Sequence, residues 1–109
     1  MSLSDFSLIG KKALVIGARR NMGKAFALGL AEAGADVAVS DVNLESGQLQ
    51  TVADEIQKMG RNSLALKADI SNQEDVKKLV KKVVKEFGTI DILMNVAVMY
   101  HSRSMVDLD

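Results

Sequence analysis

The stretch of sequence that decides the fold is residues 12–23, KALVIGARRNMG. Residues 13–16 form a continuous apolar run, which is typical of a strand buried on both faces of a parallel sheet. The run ends at Gly17, and Gly23 follows where a helical pattern begins. A buried strand that turns through glycine into a helix presents unpaired backbone N–H groups and the positive end of the helix dipole. The stretch therefore predicts an anion site of the kind that holds a phosphate.

Composition narrows the classes of function that this chain can have. Its 109 residues include 14 basic and 14 acidic side chains, one histidine and no cysteine. Zero net charge gives no electrostatic reason to expect a nucleic acid or an anionic membrane as partner. Without cysteine there are no disulfides and no thiolate metal ligands. The first residues do not form a secretory signal, and no apolar run reaches the roughly 18 residues of a membrane span. We expect one cytoplasmic domain without nucleic-acid or membrane partners.

Apolar periods divide the chain into alternating strands and helices. The predicted strands are Lys12–Ile16, 36–40, Ser63–Lys67 and 90–95, and the predicted helices are 22–33, 44–59 and 72–87. Short connections between alternating elements imply a parallel sheet. Right-handed crossovers in the strand order 3-2-1-4 place the first two helices on one face and the third on the other. We expect a three-layer αβα fold that stops after its fourth strand.

Apolar residues at helical spacing indicate which helix faces point inward. In the first helix these residues are Met22, Phe26, Leu30 and Ala33, and its small residues would let it lie close to the sheet, namely Ala25, Ala27, Gly29 and Ala31. In the third helix the inward residues are Val76, Leu79, Val80, Val83, Val84 and Phe87. Ser71 and Glu74 have the spacing of a capping box, which predicts that the third helix starts near Asn72.

Polar residues end three strands at the edge of the sheet where Gly17 ends the first strand. They are Asp41, Asp69 and Asn95. A carboxylate after the second strand can accept hydrogen bonds from an adenosine ribose, and its charge would repel a 2′-phosphate. We therefore expect a dinucleotide at this edge, with NAD favoured over NADP. Arg19 and Arg20 could reach its phosphates, or could equally be solvated.

Taken together, these motifs resemble the N-terminal half of a classical short-chain dehydrogenase/reductase. The family's TGxxxGxG turn is matched by residues 16–23, and its acid after the second strand by Asp41. Its Asp-Val or Asp-Ile pair is matched by Asp69 and Ile70, and its DILVNNAG stretch by residues 91–98, DILMNVAV. The resemblance implies a Rossmann-like fold and NAD(P)-dependent hydride transfer to or from an alcohol or carbonyl substrate. The residues that we assign to the cofactor are Gly17, Arg19, Arg20, Asn21, Met22, Gly23, Asp41, Val42, Asp69, Ile70, Asn95 and Ala97.

Four of the departures from the family pattern bear on the cofactor site. Ile16 replaces a threonine, and Asn21 replaces the middle glycine of the turn. Asparagine tolerates positive φ better than other non-glycine residues, so we expect the turn to form. Val96 replaces the second asparagine, and Val98 replaces the glycine that passes close to the cofactor. Val98 is the change that we most expect to weaken binding.

The catalytic groups that the resemblance implies are not matched here. The family uses a tyrosine with a lysine four residues later, together with a serine and an asparagine. Tyr100 is the only tyrosine, and Ser104 stands four residues after it. We therefore expect residues 1–109 to be a partial NAD(P)-binding domain that does not transfer hydride by itself.

Two further hypotheses stay open from the sequence. The chain could be a non-catalytic module that holds adenosine nucleotides through Gly17, Asp41 and Asp69. It could also be a self-associating structural fragment, because the fourth strand would leave an open sheet edge, and we expect a homo-oligomer. The third helix has a face of lysines interrupted by acids, which we interpret as solvated. These lysines are Lys77, Lys78, Lys81, Lys82 and Lys85.

Overall fold

Strands and helices alternate along the chain in the computed structural model, which describes residues 7–19, 21–42 and 47–96. The elements are β1 (Lys12–Ile16), α1 (Asn21–Glu32), β2 (Asp36–Asp41), α2 (Gln48–Lys58), β3 (Ser63–Lys67), α3 (Gln73–Phe87) and β4 (Ile92–Asn95). The strands of this described part form a parallel sheet in the order β3-β2-β1-β4. The predicted α/β class and strand order are therefore confirmed. The predicted start of α2 falls in residues 43–46, outside the described residues.

The register of the strands brings their carboxyl ends to one edge of the sheet. Ile16 of β1 lies between Ser40 of β2 and Asn95 of β4. Asp41, the last residue of β2, is paired with Lys67 at the end of β3. The residues that follow these four ends therefore share one edge, as the sequence predicted.

Two apolar cores lie on opposite faces of the sheet, which explains why residues 13–16 of β1 are all apolar. In the first core, Ala13 and Val15 of β1 pack with buried residues of α1 and α2. In the second core, Leu14 and Ile16 pack with Leu79 and other residues of α3. Successive strand residues point to opposite faces, so a strand covered on both sides has no position for a polar residue.

The inward face of α1 is made of small residues, which we expected to let the helix lie close to the sheet, and the predicted stripe of larger residues lies beside it. Ala27 and Ala31 are buried, whereas Met22 is 45% exposed. Phe26 and Leu30 are only partly buried beside the first core. Because alanine side chains are short, this helix lies close to the sheet and its larger neighbours flank the contact.

The start of α3 differs from the predicted capping box. Asn72 is the N-cap, and its side chain accepts hydrogen bonds from the backbone N–H groups of Glu74 and Asp75. The helix ends as predicted at Gly88, where φ is 88°. Its predicted apolar stripe is only partly covered, since Leu79 is buried but Val80 and Val84 are 36% and 39% exposed.

An ion pair and a side-chain cap organise the opposite, amino edge of the sheet. The ammonium of Lys12 contacts the carboxylate of Asp36, which also accepts a hydrogen bond from the Asn62 N–H (2.8 Å). Burial alone would raise the pKa of Asp36, but the hydrogen bonds from Lys12 and Asn62 together hold it below its ordinary value. Asp91 accepts a hydrogen bond from the Lys12 N–H (2.9 Å), so β4 begins at Ile92 and not at residue 90.

Candidate functional site

The turn after β1 is bound tightly to the end of β2. Gly17 has φ 84°, a left-handed conformation that favours glycine. The N–H groups of Gly17 and Ala18 both donate to the Ser40 carbonyl oxygen, at 2.8 and 3.0 Å. These two bonds fix the turn at the carboxyl edge of the sheet, directly before the start of α1.

Gly23 lets α1 begin close to this turn. A Cβ atom at Gly23 would lie 1.9 Å from the Gly17 carbonyl oxygen, which no side chain can occupy. The first turn of α1 therefore rests against the Gly17 backbone. The first N–H groups of a helix have no intrahelical partner, so this arrangement brings several donors to the carboxyl edge.

Asp41 contacts Arg19 across the gap between the end of β2 and the glycine turn. Its Oδ2 accepts a hydrogen bond from the Arg19 N–H (3.3 Å), and its Oδ1 lies 3.7 Å from Arg19 Nε. Arg19 Nη1 also donates to Gln48 Oε1 of α2 (2.7 Å). The Arg19 side chain is only 18% exposed, so the alternative that Arg19 is solvated is wrong.

Asp69 follows β3 and is held as a charged group by Ser71. Its Oδ1 accepts hydrogen bonds from the Ser71 hydroxyl (2.6 Å) and the Ser71 N–H (2.9 Å). These two bonds lower the pKa of Asp69 below its ordinary value. The Asp69 N–H in turn donates to Asp75 Oδ2 of α3 (3.2 Å), which ties the loop to the helix.

A cavity of about 380 Å³ joins these strand ends. Its lining includes five of the predicted residues, namely Gly17, Asp41, Val42, Asp69 and Ile70. The cavity therefore has carboxylates from two strand ends. The apolar side chain of Val42 beside it is 55% exposed.

The other predicted site residues lie elsewhere or outside the described residues. Met22, Gly23 and Asn95 do not line the cavity in the described part of the chain. Asn95 is paired with Ile16, beside the glycine turn. Asn21 is the first residue of α1, and nothing is described of its side chain. Arg20 and Ala97 lie outside the described residues.

Four residues of the site were not among those assigned to the cofactor. Ile16, Ala68 and Ser71 line the cavity, and Gln48 holds Arg19. The Asp-x-Ser pattern of residues 69–71 could have indicated Ser71, because such pairs commonly form local hydrogen bonds. No local pattern indicates Gln48, since its contact depends on how α2 packs.

This combination of features defines a class of protein. A glycine turn at a helix start and carboxylates after β2 and β3 share one edge of a parallel sheet with the order 3-2-1-4. That is the arrangement of a nucleotide-binding α/β domain of the Rossmann kind. The short chain dehydrogenase family model matches residues 11–109, and the chain belongs to this family of NAD(P)-binding oxidoreductases.

Similar proteins come from several bacteria. A 3-oxoacyl-(acyl-carrier-protein) reductase FabG from Staphylococcus epidermidis is 39% identical over 87 residues, 80% of this chain and 35% of that protein. A solved dehydrogenase/reductase from Sinorhizobium meliloti 1021 has a TM-score of 0.80 at 36% identity, covering 85% of this chain and 36% of that chain.

A short chain dehydrogenase from Burkholderia cenocepacia J2315, solved in complex with NADP, has a TM-score of 0.75 at 40% identity. The match covers 79% of this chain and 35% of that one. This chain therefore spans about a third of the length of the relatives that it matches. Among the described residues, no helix is long and apolar enough to cross a membrane.

Proposed function

We propose that this chain binds NAD(P) at the carboxyl edge of its sheet, with NAD preferred over NADP. The proposal rests above all on the cavity that joins Gly17, Asp41 and Asp69 from three separate strand ends. Its volume of about 380 Å³ is in the range of small-molecule sites. A similar protein solved in complex with NADP supports a dinucleotide as the ligand.

The adenosine half of the cofactor would occupy this cavity. Its ribose would lie against Asp41, and the adenine between the apolar side chains of Val42 and Ile70, with Asp69 accepting from the adenine amino group. An aromatic base gains from apolar contacts on its faces, and a charged carboxylate is a strong acceptor for an N–H donor. The two hydrogen bonds from Ser71 to Asp69 Oδ1 support this role, because they fix the position of the carboxylate.

The pyrophosphate would lie over the glycine turn. The first N–H groups of α1, which starts at Asn21, would supply donors, and Met22 would lie beside them. Gly17, whose N–H is bonded to Ser40, would let the phosphates come close to the backbone, and Arg20 is proposed to add positive charge. Gly23 would serve by allowing the helix to begin so close to the turn. Asn95, the last residue of β4, would border the part of the cofactor beyond the pyrophosphate, and we propose the same role for Ala97, two positions later in the sequence.

The preference for NAD rests on the charge of Asp41. A 2′-phosphate would bring its own negative charge to the ribose that Asp41 contacts, and like charges at close range repel. Arg19 opposes this effect, because its guanidinium lies 3.7 Å from Asp41 Oδ1 and partly neutralises that carboxylate. We therefore expect a graded preference and not complete exclusion of NADP.

The reaction of the whole protein is proposed to be hydride transfer between the cofactor and an alcohol or carbonyl substrate. A bound nicotinamide supplies the hydride chemistry, and the residues described above bind and orient it. We propose that the acid–base step needs groups beyond these 109 residues, since Tyr100 is followed four positions later by Ser104. Residues 1–109 would then be part of a larger NAD(P)-binding domain.

Calorimetric titration with NAD tests this proposal. We expect saturable heat from the wild-type chain and none from Gly17→Val, because a branched side chain is strained at φ 84° and blocks the turn. Gly60→Val is the matched control, since Gly60 also has positive φ (87°) but follows α2, away from the cavity. Absence of heat from the wild-type chain, or equal loss in both variants, would overturn the proposal.

A further inference from the structure

A second groove lies along the outer side of β3, between this strand and α3. Its volume is about 410 Å³. Its lining includes Ala65, Leu66 and Lys67 of β3, and Lys78, Leu79 and Lys82 of α3. It shares no lining residue with the cavity at the carboxyl ends of β1 and β2, so it is a separate site.

The groove faces the backbone edge of β3 and not only one face of the sheet. Ala65 packs towards the first core and Leu66 towards the second, as successive strand residues must. A space that touches three consecutive residues of a strand must therefore reach the strand's outer edge. Within the described residues, β3 pairs only with β2, so this edge is open to a further strand.

The wall that α3 adds to the groove is basic. Lys78 and Lys82 are four residues apart, so their side chains lie next to each other on one side of the helix. Both residues are exposed, and neither forms an ion pair within the part of the chain that the structure describes. The acid that lines the groove, Asp75, accepts a hydrogen bond from the Asp69 N–H.

We propose that this groove binds an acidic, extended segment of a partner protein. The segment adds to the open edge of β3 as a further strand, and backbone hydrogen bonds supply part of the affinity. Its carboxylates on the α3 side contact Lys78 and Lys82, while Lys67 adds positive charge at one end of the groove. The positive charge of the groove favours a negatively charged partner segment, and the open strand edge favours an extended one.

Fluorescence anisotropy with the 109-residue chain tests this proposal. The probe is a labelled peptide of alternating Glu and Val, about six residues long, which is the length of an ordinary strand. We expect saturable binding that weakens as NaCl is added. Lys78→Gln with Lys82→Gln should lower the affinity about tenfold, through the loss of two charge pairs. Lys81→Gln with Lys85→Gln is the matched control and should leave the affinity unchanged, because neither residue lines the groove.

Other results would overturn the proposal. If the peptide does not bind, the lysines only keep the strand edge from pairing. If both double variants bind it equally well, Lys78 and Lys82 do not contact it, and the proposed charge pairs are absent. A peptide with Lys in place of Glu should bind at least tenfold more weakly, and equal binding would show that the charge of the groove does not select the peptide. A peptide with N-methylated backbone should also bind at least tenfold more weakly, and equal binding would show that the peptide does not pair with β3 as a strand. Tighter binding of a single-stranded oligonucleotide than of the peptide would show a nucleic-acid surface instead.

Discussion

Asp41 and Arg19 meet where the proposed complex would place the adenosine ribose, and their opposite charges would have opposite effects on a 2′-phosphate. The contact between Arg19 Nε and Asp41 Oδ1 is 3.7 Å long, and both side chains are mostly buried. Charges act more strongly on a ligand where water is largely excluded, so the balance between these two residues should decide the preference.

Replacing Asp41 should narrow the preference for NAD. In Asp41→Ala we expect the ratio of the two dissociation constants, NADP over NAD, to fall about tenfold, because the charge that repels the phosphate is gone and Arg19 remains. Arg19→Ala should shift the ratio in the opposite direction. Both ratios can be measured by calorimetry. An unchanged ratio in Asp41→Ala would contradict the proposed ribose contact.

Asp36, at the amino edge of the sheet, should make the stability of the folded chain depend on pH in the acidic range. Its pKa is lowered in the folded chain by hydrogen bonds from Lys12 and Asn62. A lowered carboxyl pKa adds stability above the unfolded value of about 3.9, and that stability is lost as the pH falls through the folded pKa. In Asp36→Asn we expect the free energy of unfolding at pH 7 to fall by about 1.5 kcal/mol.

Urea unfolding at neutral pH and near pH 3 measures this effect. The difference in the free energy of unfolding between the wild-type chain and Asp36→Asn should be smaller at the lower pH, since a protonated carboxyl resembles the amide that replaces it. A gap of the same size at both pH values would show that the ion pair with Lys12 does not contribute through its charge.

Single residues of the site could be predicted where one stretch of sequence contains the whole signal. Asp41 and Asp69 each follow a clear strand, so their shared edge could be inferred from the strand order. The contact of Arg19 with Gln48 could not, because it joins the glycine turn to α2. Arg19 and Gln48 are separated in the chain by α1 and β2, and no local pattern predicts that they meet.

Among the elements, α1 depends most on a close backbone contact. In Gly23→Ala the new Cβ would meet the Gly17 carbonyl oxygen at 1.9 Å, and both are parts of the main chain. The helix must shift away from the turn, so we expect the free energy of unfolding to fall by about 2 kcal/mol or more. Affinity for NAD should fall as well, because the N–H groups of the first turn move.

Gly29→Ala provides the control within the same helix. A Cβ at Gly29 meets nothing within 4 Å, and the residue is exposed. Because glycine is a poor helix former, we expect this change to raise the free energy of unfolding by about 0.5–1 kcal/mol. Chemical denaturation checks both variants. Equal stability of Gly23→Ala and the wild-type chain would contradict the contact.

The bounds of helices and strands could be predicted best where the sequence pattern changes sharply at both ends of the element. β1 and β3 begin and end as predicted. The apolar run of β1 stops at Gly17, and the apolar residues of β3 lie between Ser63 and Lys67. For α1, the larger residues predicted to point inward flank the contact, whereas Ala27 and Ala31, expected to let the helix approach the sheet, are buried. At α3, Asn72 and Ser71 are both good N-cap residues, and only the backbone conformation at Asn72 decides between them.

For the whole molecule, the open side of β4 and its apolar surroundings predict self-association. Ile92 and Met94 pack against the first core, whereas Leu93 lies on the other face and is 60% exposed. Val80 and Val84 of α3 are also exposed. Among the described residues, β4 pairs only with β1, so its other edge can pair with a second chain.

Light scattering at micromolar concentration measures this association. We expect a mass of two or more chains for the wild type, and a lower mass for Leu93→Lys, because a charged side chain disfavours burial of this surface. Ile9→Lys is the control, since Ile9 is also exposed (72%) but contacts Gly34 and not β4. A monomeric wild-type chain would refute the proposed oligomer.

The central claim is that one edge of the sheet forms the dinucleotide site. Two-dimensional amide NMR spectra of the 109-residue chain, recorded with and without NAD, test it most directly. We predict that the amide signals of Gly17, Val42, Asp69 and Ile70 shift on binding, while those of Lys78 and Lys82 in the second groove do not. If NAD shifts no signal, or shifts only signals away from the carboxyl ends of the strands, the claim is contradicted.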